Sequence, residues 1–196
     1  MIKIGIVGDI GSGKSYVAKQ FGFPVFNADL EVNKIYKNNK RCFKRLKKQF
    51  PKQISSFPIK KKELLKIIFA NQNNIKKINK IIHPEVRRKM DIFLKKNKRK
   101  KATILDIPLL LEGKINNKND IIIFVDAKKK NIKKRLKKRK NFNPLVIKKL
   151  KKLQLPLETK KKRSNFVLKN NFKELNIKKR VKILKYKIFN DERSSS

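Results

Sequence analysis

A glycine-rich segment near the start of the chain, GDIGSGKS at residues 8–15, limits the possible fold more than any other feature of the sequence. It follows the apolar run IKIGIV and precedes KSYVAKQF, in which Val17, Ala18 and Phe21 recur at helical spacing. The sequence therefore predicts a strand over residues 2–7, a glycine loop and a helix. The chain of 196 residues has only 6 glycines, and three of them are in this segment. This concentration indicates that the backbone here needs conformations or close contacts that other residues do not allow.

This segment matches the phosphate-loop pattern G-x-x-x-x-G-K-[ST] in the strand-to-helix context that the pattern requires. Such a loop turns successive backbone N–H groups inward around a phosphate, which requires residues without a Cβ. Lys14 is expected to reach the β- and γ-phosphates of a nucleotide, and the Ser15 hydroxyl to ligate Mg²⁺. The alternative is an ordinary glycine turn. The predicted nucleotide-binding residues of the loop are Gly8, Gly11, Ser12, Gly13, Lys14 and Ser15.

Apolar runs alternate with helical patterns along the rest of the chain, which predicts a doubly wound α/β fold with a parallel sheet. A second strand is predicted to end at Asp29, and two near-continuous apolar strands to end near Asp106 and Asp126. A last strand is predicted in NFVLKN, before a closing amphipathic helix. About seventy residues between the second and third strands contain only helical patterns, interrupted at KNNK, and they are interpreted as an inserted helical lobe.

The net charge of +43 at first indicates a nucleic-acid or membrane partner. However, 47 lysines, 25 isoleucines and 20 asparagines against 10 arginines and 5 alanines fit a bias toward A/T-rich codons, and the lysines are spread along the whole chain. We therefore expect neither nucleic acid nor membrane as a partner. No apolar run is long enough to span a bilayer, and a cytoplasmic protein is expected. A lone Cys42 and a lone His83 exclude an internal disulfide and a zinc cluster.

Two acidic residues at predicted strand ends are candidates for the chemistry of phosphoryl transfer. The Asp29 carboxylate could accept a proton from an attacking hydroxyl, or it could cap the helix that follows, and the sequence leaves both open. Asp106 could hold Mg²⁺ or its water ligands, with a strand-end turn as the alternative.

Two arginines stand four residues apart in the basic segment RLKKR. The guanidinium groups of Arg135 and Arg139 could bind transferring phosphoryl groups in a bidentate manner, and the alternative is a solvated basic helix. His83 precedes a proline, and a single histidine is more often structural than catalytic, so we do not assign it as a general base.

Together these residues resemble the dephospho-coenzyme A kinases over most of the chain. The segment GIVGDIGSGKS is similar to that family's opening GLTGGIGSGKS, with Asp9 where glycine is usual. VFNAD is similar to a strand that ends in D-A-D; this resemblance assigns Asp29 as the base, while Asn27 replaces the first acid. DIPLLLE is similar to D-[IV]-P-L-L-[FY]-E, the most specific of these motifs, and it includes Glu112.

The resemblance extends to the helical segments and to the last third of the chain. IIFAN and IIHPEV are similar to the family's substrate lobe, NIKKRLKKR to its lid pattern Q-x-x-R-[LM]-x-x-R, and LQLPLETK with SNFVLKN to its closing motifs. Departures occur at Asn79, Asn131, Ser164 and Asn165, whereas Gln154 and Lys160 are kept. The resemblance implies that Asn170 binds ATP and that the acceptor is bound by Asp29, Phe69, Asn71, His83, Pro84, Asp106, Leu109 and Leu110.

The resemblance implies a three-layer α/β P-loop kinase domain with a parallel five-stranded sheet. A helical substrate lobe is expected near residues 31–98 and a lid near 128–155. The implied reaction transfers the γ-phosphoryl group of ATP, with Mg²⁺, to the ribose 3′-hydroxyl of dephospho-coenzyme A. Lys14, Asp29, Arg135 and Arg139 are its expected catalytic residues. The rival hypotheses are another small-molecule kinase, such as a nucleoside monophosphate kinase, and a nucleic-acid-binding ATPase.

Overall fold

The computed structural model describes residues 1–71, 73–139 and 142–190. The chain folds into two compact units. The core unit comprises Met1–Asn27 and the chain from Asn97 onward, and the helical unit comprises Ala28–Lys96. Two residues of the predicted lid, 140 and 141, lie outside the described residues.

A parallel five-stranded sheet forms the centre of the core unit, as the sequence predicted. The strands are β1 (Ile2–Gly8), β2 (Val25–Asn27), β3 (Ala102–Asp106), β4 (Ile121–Asp126) and β5 (Phe166–Lys169). Their spatial order is β2-β3-β1-β4-β5, so β1, which leads into the glycine loop, has a partner strand on each side. Every residue of β3 is buried, as expected for a strand between covered sheet faces.

Helices occupy most of the remaining described chain. The core unit contains α1, α6, α7, α8 and α9, and the helical unit contains α2 to α5. Their bounds are α1 (Lys14–Gln20), α2 (Ala28–Asn38), α3 (Lys40–Gln49), α4 (Lys61–Ala70), α5 (Asn73–Lys96), α6 (Lys129–Lys137), α7 (Pro144–Lys151), α8 (Leu157–Lys162) and α9 (Glu174–Asn190). Within the described ranges, no helix is both long and apolar enough to cross a membrane.

One apolar cluster of the core unit joins strands of the sheet to the two helices α1 and α9. The predicted apolar face of α1 is buried, with Val17, Ala18 and Phe21 all inaccessible to solvent. They join a cluster with Ile4 and Ile6 of β1 and with buried residues of α9, namely Ile177, Val181, Leu184 and Ile188. Burial of a large aliphatic or aromatic side chain contributes about 1.5–3 kcal/mol, so this cluster fixes the strand that carries the glycine loop.

Two element boundaries differ from the sequence prediction. The second strand ends at Asn27, and Asp29 lies in the first turn of α2. A carboxylate in the first turn interacts favourably with the helix dipole, which stabilises an early helix start. The basic helix predicted through RLKKR ends at Lys137, so Arg139 lies beyond it, and its backbone N–H donates to the Leu136 carbonyl at 3.1 Å. This part of α6 has few apolar anchors to extend the helix.

The helical unit has its own apolar cluster, in which Ile35, Leu46, Ile54, Ile67 and Ile82 are almost completely buried. The predicted interruption at KNNK is confirmed, because α2 ends at Asn38 and α3 begins at Lys40. The Asn39 side chain accepts a hydrogen bond from the Cys42 backbone N–H at 2.9 Å and so caps α3.

Candidate functional site

The glycine loop between β1 and α1 adopts a backbone that side chains at two of its glycines would prevent. Gly8 has a φ of 145°, and a Cβ there would lie 2.7 Å from the Val125 carbonyl oxygen of β4. Gly13 has a φ of 92°, and a Cβ there would overlap the side-chain amide of Asn170. Both positions therefore require glycine for conformation and for close approach. This is the tight loop that the sequence pattern predicted.

Two polar side chains of the loop are placed to interact with an anion. The Lys14 ammonium donates to the backbone carbonyls of Gly8 at 3.2 Å and Asp9 at 2.8 Å, which holds it against the loop. The Ser12 hydroxyl oxygen is buried and has no hydrogen-bond partner within the described part of the chain. A buried hydroxyl without a partner is unfavourable unless a ligand or water satisfies it. The loop therefore fits a phosphate group.

Asn170, just after β5, is hydrogen-bonded to the glycine loop. Its side-chain amide donates to the Ser12 carbonyl at 2.7 Å, and its side-chain oxygen accepts from the Phe172 backbone N–H at 2.7 Å. Its own backbone N–H donates to the Asp126 carbonyl at the end of β4. Asn170 is 3% exposed, so these bonds fix the loop relative to two strand ends. Its predicted contact with ATP stays a prediction.

The first helix of the predicted lid, α6, packs directly on the loop. A Cβ at Gly11 would lie 3.0 Å from the Leu136 side chain and 3.1 Å from that of Ile132. The Arg135 guanidinium stacks over the Phe172 ring, 4.5 Å from its centroid. Phe172 is itself next to Gly13, because a Cβ on that glycine would be 3.4 Å from the ring. One of the two predicted lid arginines is therefore held close to the loop.

Asp106 ends β3 and is paired with Asn27, the residue at which the chain departs from the D-A-D pattern. The Asn27 side-chain amide donates to the Asp106 carboxylate at 2.5 Å, and the two residues are opposite each other in the β2–β3 register. A carboxylate at position 27 would place two negative charges in contact. The substitution of Asn for an acid thus gives the buried Asp106 a hydrogen-bond donor.

A buried ion pair joins two residues that the chain shares with the family motifs, Glu112 and Lys160. The Lys160 ammonium, 1% exposed, lies 2.8 Å from a Glu112 carboxylate oxygen and donates to the Gln154 side-chain oxygen at 2.9 Å. The same Glu112 oxygen accepts from the Leu155 backbone N–H at 2.9 Å. This network ties the loop after β3 to the segment between α7 and α8. Short α8 itself, LETKKK, carries too little apolar periodicity to be predicted.

A second ion pair, which the sequence did not predict, joins the glycine loop to the end of α7. Asp9 is 7% exposed, and its carboxylate accepts from the Ile10 backbone N–H at 2.7 Å and from the Lys151 ammonium at 3.2 Å. Lys151 ends α7, far along the chain. Both residues line a cavity of about 620 Å³ beside the loop, whose wall also includes Lys129, Ile132, Lys133, Leu136, Phe142 and Ile147.

The remaining predicted substrate residues are found in both units. In the core unit, Leu110 is fully buried against Gly5, and Leu109 is half-buried. In the helical unit, Phe69 is 39% exposed near the end of α4, and the Asn71 side chain accepts from the Asn73 backbone N–H at 2.8 Å. The structure tests none of these as ligand contacts, so their roles stay predictions.

His83 and Pro84 lie on α5 at a basic groove of the helical unit. The groove has a volume of about 680 Å³ and is lined by Lys76, Asn79, Lys80, His83, Pro84, Arg87, Arg88 and Asp91. Desolvation and the neighbouring charge of Arg87 hold the pKa of His83 below its ordinary value of 6.5. His83 is thus neutral at pH 7, and the groove owes its positive charge to lysine and arginine.

The donor set around the loop fits Mg²⁺ bound with a nucleotide. Among the described residues, no group of three or more His, Cys, Asp or Glu side chains could hold a metal ion. Mg²⁺ needs no such cage, because it usually takes one or two protein oxygens with phosphate and water oxygens. The Ser15 hydroxyl at the start of α1 and the Asp106 carboxylate are oxygen donors of that kind.

Comparison with known proteins places the chain among nucleotide-dependent kinases. A family model described as dephospho-CoA kinase matches residues 2–175. The dephospho-CoA kinase of Wolbachia sp. subsp. Brugia malayi (strain TRS) is 32% identical over 184 residues, which cover 91% of this chain and 94% of the relative. That of Wolbachia pipientis wMel is 35% identical over 170 residues, covering 84% and 87%.

Two solved structures superpose on nearly the whole of this chain. A protein from Thermus thermophilus superposes with a TM-score of 0.75 at 29% identity, covering 96% of this chain and 97% of the other. The dephospho-CoA kinase from Campylobacter jejuni superposes with a TM-score of 0.65 at 22% identity, covering 97% and 98%. Because its sequence identity is only 22%, the match to the Campylobacter jejuni structure shows a shared fold and nothing more.

Proposed function

This chain belongs to the dephospho-CoA kinase family, and we propose that it transfers the γ-phosphoryl group of ATP to the ribose 3′-hydroxyl of dephospho-coenzyme A. The products are coenzyme A and ADP. The observation that carries the proposal is the family match over residues 2–175, a range that includes the glycine loop, the DIPLLLE segment and the lid arginines. Cytoplasmic location stays a prediction from the sequence.

The glycine loop is assigned the triphosphate. Backbone N–H groups of the loop, the Ser12 hydroxyl and the positive end of α1 provide donors for phosphate oxygens. Lys14 is assigned to the β- and γ-phosphates, where its charge stabilises the transferring group. Its hydrogen bonds to the carbonyls of Gly8 and Asp9 support this assignment, since they hold the ammonium beside the loop.

The Mg²⁺ ion is assigned to Ser15 and Asp106. When bound, the ion would neutralise charge on the phosphates and orient them for transfer. The Asn27 amide holds the Asp106 carboxylate at 2.5 Å and so fixes its orientation. A single carboxylate with a neutral hydrogen-bond donor suits an ion that retains most of its water and phosphate ligands.

Asp29 is assigned as the base that accepts the proton of the ribose hydroxyl. It lies two residues beyond Asn27, in the first turn of α2. Its competing role is purely structural, because a carboxylate in a first turn also stabilises the helix dipole. Asn27 cannot take over the proton, since its side chain is an amide that donates to Asp106. Asp29 is therefore the one carboxylate of the VFNAD segment, and we assign proton transfer to it.

Arg135 and Arg139 are assigned to the charge that develops on the transferring phosphoryl group. Arg135 is the better supported of the two, because its stacking on Phe172 holds it near Gly13 of the loop. Arg139 follows the end of α6 in a turn. Because Arg139 lies outside the helix, its side chain does not have to share a helix face with that of Arg135.

The acceptor is assigned to Asp29, Phe69, Asn71, His83, Pro84, Asp106, Leu109 and Leu110. The basic groove on α5 supports the part of this assignment that concerns His83 and Pro84. Dephospho-coenzyme A is an anion, and the lysine and arginine side chains of that groove offer it charge-assisted hydrogen bonds. The exposed ring of Phe69 offers an apolar contact.

The test is a direct assay of the product. The purified chain is incubated with Mg²⁺, ATP and dephospho-coenzyme A, and coenzyme A is measured by mass spectrometry. Parallel reactions replace the acceptor with AMP or shikimate, and one adds duplex DNA without acceptor. We expect coenzyme A and ADP in equal amounts only with dephospho-coenzyme A. Turnover of AMP instead would favour a nucleoside monophosphate kinase, and ATP hydrolysis stimulated by DNA would favour a nucleic-acid-dependent ATPase.

A further inference from the structure

The glycine loop contains a carboxylate that opposes the charge of its proposed ligand. Asp9 follows Gly8 directly, is 7% exposed and accepts a hydrogen bond from the backbone N–H of Ile10 at 2.7 Å. One N–H group of a loop that should bind phosphate is thus occupied by the loop's own side chain. A buried negative charge here disfavours a polyphosphate, both by repulsion and by competition for that donor.

Lys151 supplies the compensating charge. Lys151 is the last residue of α7, and its ammonium lies 3.2 Å from the Asp9 carboxylate. The Asp9 side chain is 10% exposed and that of Lys151 49% exposed, so the pair is at the wall of the cavity beside the loop, with solvent on the lysine side only. An ion pair with one nearly buried member is screened less than a surface pair.

We propose that Lys151 is a positioning residue for nucleotide binding, which acts by neutralising Asp9 so that the glycine loop accepts the phosphates of ATP. With Lys151 in place, the Asp9–Lys151 pair has no net charge, so the loop amides, Lys14 and the cavity lysines Lys129 and Lys133 present a positive potential to the phosphates. Without Lys151, Asp9 loses its hydrogen-bonded counter-ion, and its negative charge remains within the loop. This inference rests on the proposed function, because it takes the loop to be the triphosphate site.

The proposal predicts a dependence between the two residues that a direct contact of Lys151 with ATP would not produce. Lys151→Ala should weaken ATP binding when Asp9 is present, and it should have little effect once Asp9 is Asn. Asparagine keeps an acceptor for the Ile10 N–H and removes only the charge. Lys148, exposed on the same helix, provides the matched control for loss of one lysine.

The experiment is a double-mutant cycle measured by calorimetric titration with Mg²⁺ and ATP in the absence of acceptor. We expect Lys151→Ala to raise the Kd for ATP about tenfold, the scale of one uncompensated charge near a polyanion at a partly solvated site. In the Asp9→Asn background the same change should raise Kd less than about twofold. Asp9→Asn alone, Lys151→Arg and Lys148→Ala should bind ATP at least about as well as the parent.

Steady-state kinetics separate this role from a structural one. The KM for ATP should rise in Lys151→Ala while kcat at saturating ATP and the melting temperature stay close to the parent values. An equal loss of affinity in both Asp9 backgrounds would show that Lys151 binds the nucleotide itself and would overturn the proposal, as would no loss in either. The titration contains no acceptor, so failure of the coenzyme A assay would reject the proposed reaction without altering this result.

Discussion

Lys14 is held in the loop by two backbone carbonyls, at 3.2 Å from Gly8 and 2.8 Å from Asp9. Lys14→Ala removes the charge assigned to the β- and γ-phosphates. We expect turnover of dephospho-coenzyme A to fall about a hundredfold or more, the scale of losing one transition-state donor. Circular dichroism should show an unchanged fold, since the lost hydrogen bonds are local. Near-normal turnover in a coupled ADP assay would reject the assignment of the loop.

Asp29 has two candidate roles, a structural one in the first turn of α2 and a catalytic one as the base. The variant Asp29→Asn distinguishes between them. Asparagine keeps the size of the side chain but cannot accept the hydroxyl proton, so we expect kcat to fall about a hundred- to ten-thousand-fold. The melting temperature should change little.

Glu31→Gln is the matched control for Asp29→Asn, because Glu31 is in the same first turn of α2 and pairs with Lys34 at 2.6 Å. We expect this variant to keep the parent's turnover. An Asp29→Asn variant with undiminished turnover would leave Asp29 only the helix-dipole role.

At the scale of single elements, the lid helix α6 carries the next prediction. Arg135 stacks on Phe172, and an ammonium cannot reproduce the planar guanidinium in either stacking or bidentate phosphate binding. Arg135→Lys and Arg139→Lys should therefore each lower kcat by at least about tenfold although the charge is kept. Lys134→Arg, an exposed exchange on the same helix, should have no effect. Parent-like turnover in both lysine variants would place these arginines on a merely solvated segment.

Helix α4 of the helical unit provides a pH-dependent prediction. Burial raises the pKa of Glu63, but hydrogen bonds donated by the backbone N–H groups of Ser55, Lys60 and Ser56 and by the Ser55 hydroxyl outweigh it. The pKa of Glu63 therefore lies below its ordinary value of 4.5. A carboxyl with a lowered pKa in the folded state stabilises the fold above the unfolded pKa, and this stability is lost as pH falls through the folded pKa.

The corresponding variant is Glu63→Gln, measured by urea unfolding between pH 3 and pH 8, a range of about five units around the ordinary carboxyl pKa. We expect the free energy of unfolding at pH 7 to fall by about 1–3 kcal/mol, because all four donors lose a charged acceptor and the glutamine NH₂ group cannot accept at one of the two oxygen positions. The difference from the parent should shrink below pH 4.5. A difference that is independent of pH would contradict the assignment of these hydrogen bonds to the ionised carboxylate.

The elements show where sequence reasoning succeeds. Apolar runs correctly predict β1, β3 and β4, because these strands are buried along most or all of their length, and apolar periodicity correctly predicts α1, because that helix buries one face. Apolar patterning misplaces the end of β2 and the end of α6, where dipole effects and loss of apolar anchors decide the boundary. It also misses α8, a short helix whose buried residue is the lysine Lys160.

The candidate site divides in the same way between local and distant interactions. The glycine loop is predictable because its chemistry is encoded in consecutive residues. The pairs Asp9–Lys151, Asn27–Asp106 and Glu112–Lys160 are not, because each joins residues that are distant in sequence and come together only in the folded unit. Resemblance to a family identified some of their members without indicating that they contact each other.

For the whole molecule, the net charge of +43 is the dominant electrostatic feature. Like charges repel one another in the folded state and are further apart in the unfolded chain, so repulsion lowers stability at low ionic strength. We expect the melting temperature to rise by several degrees between about 0.01 and 0.3 M NaCl, as the Debye length falls from about 30 Å to below 8 Å. An equal osmolality of sucrose is the control for non-electrostatic stabilisation. A melting temperature that falls or stays constant with NaCl would contradict this account.

The strand order has a consequence for how the chain is synthesised. β1 pairs with β3 through Ile2 and Ala102 and with β4 through Ile4 and Ile121, so neither neighbour of β1 exists while the helical unit is being translated. At about 5–20 residues per second, the roughly one hundred intervening residues take about 5–20 s. During that interval the apolar segment IKIGIV leaves the ribosome without either strand partner. We therefore expect chaperones that bind extended hydrophobic nascent chains to bind this segment.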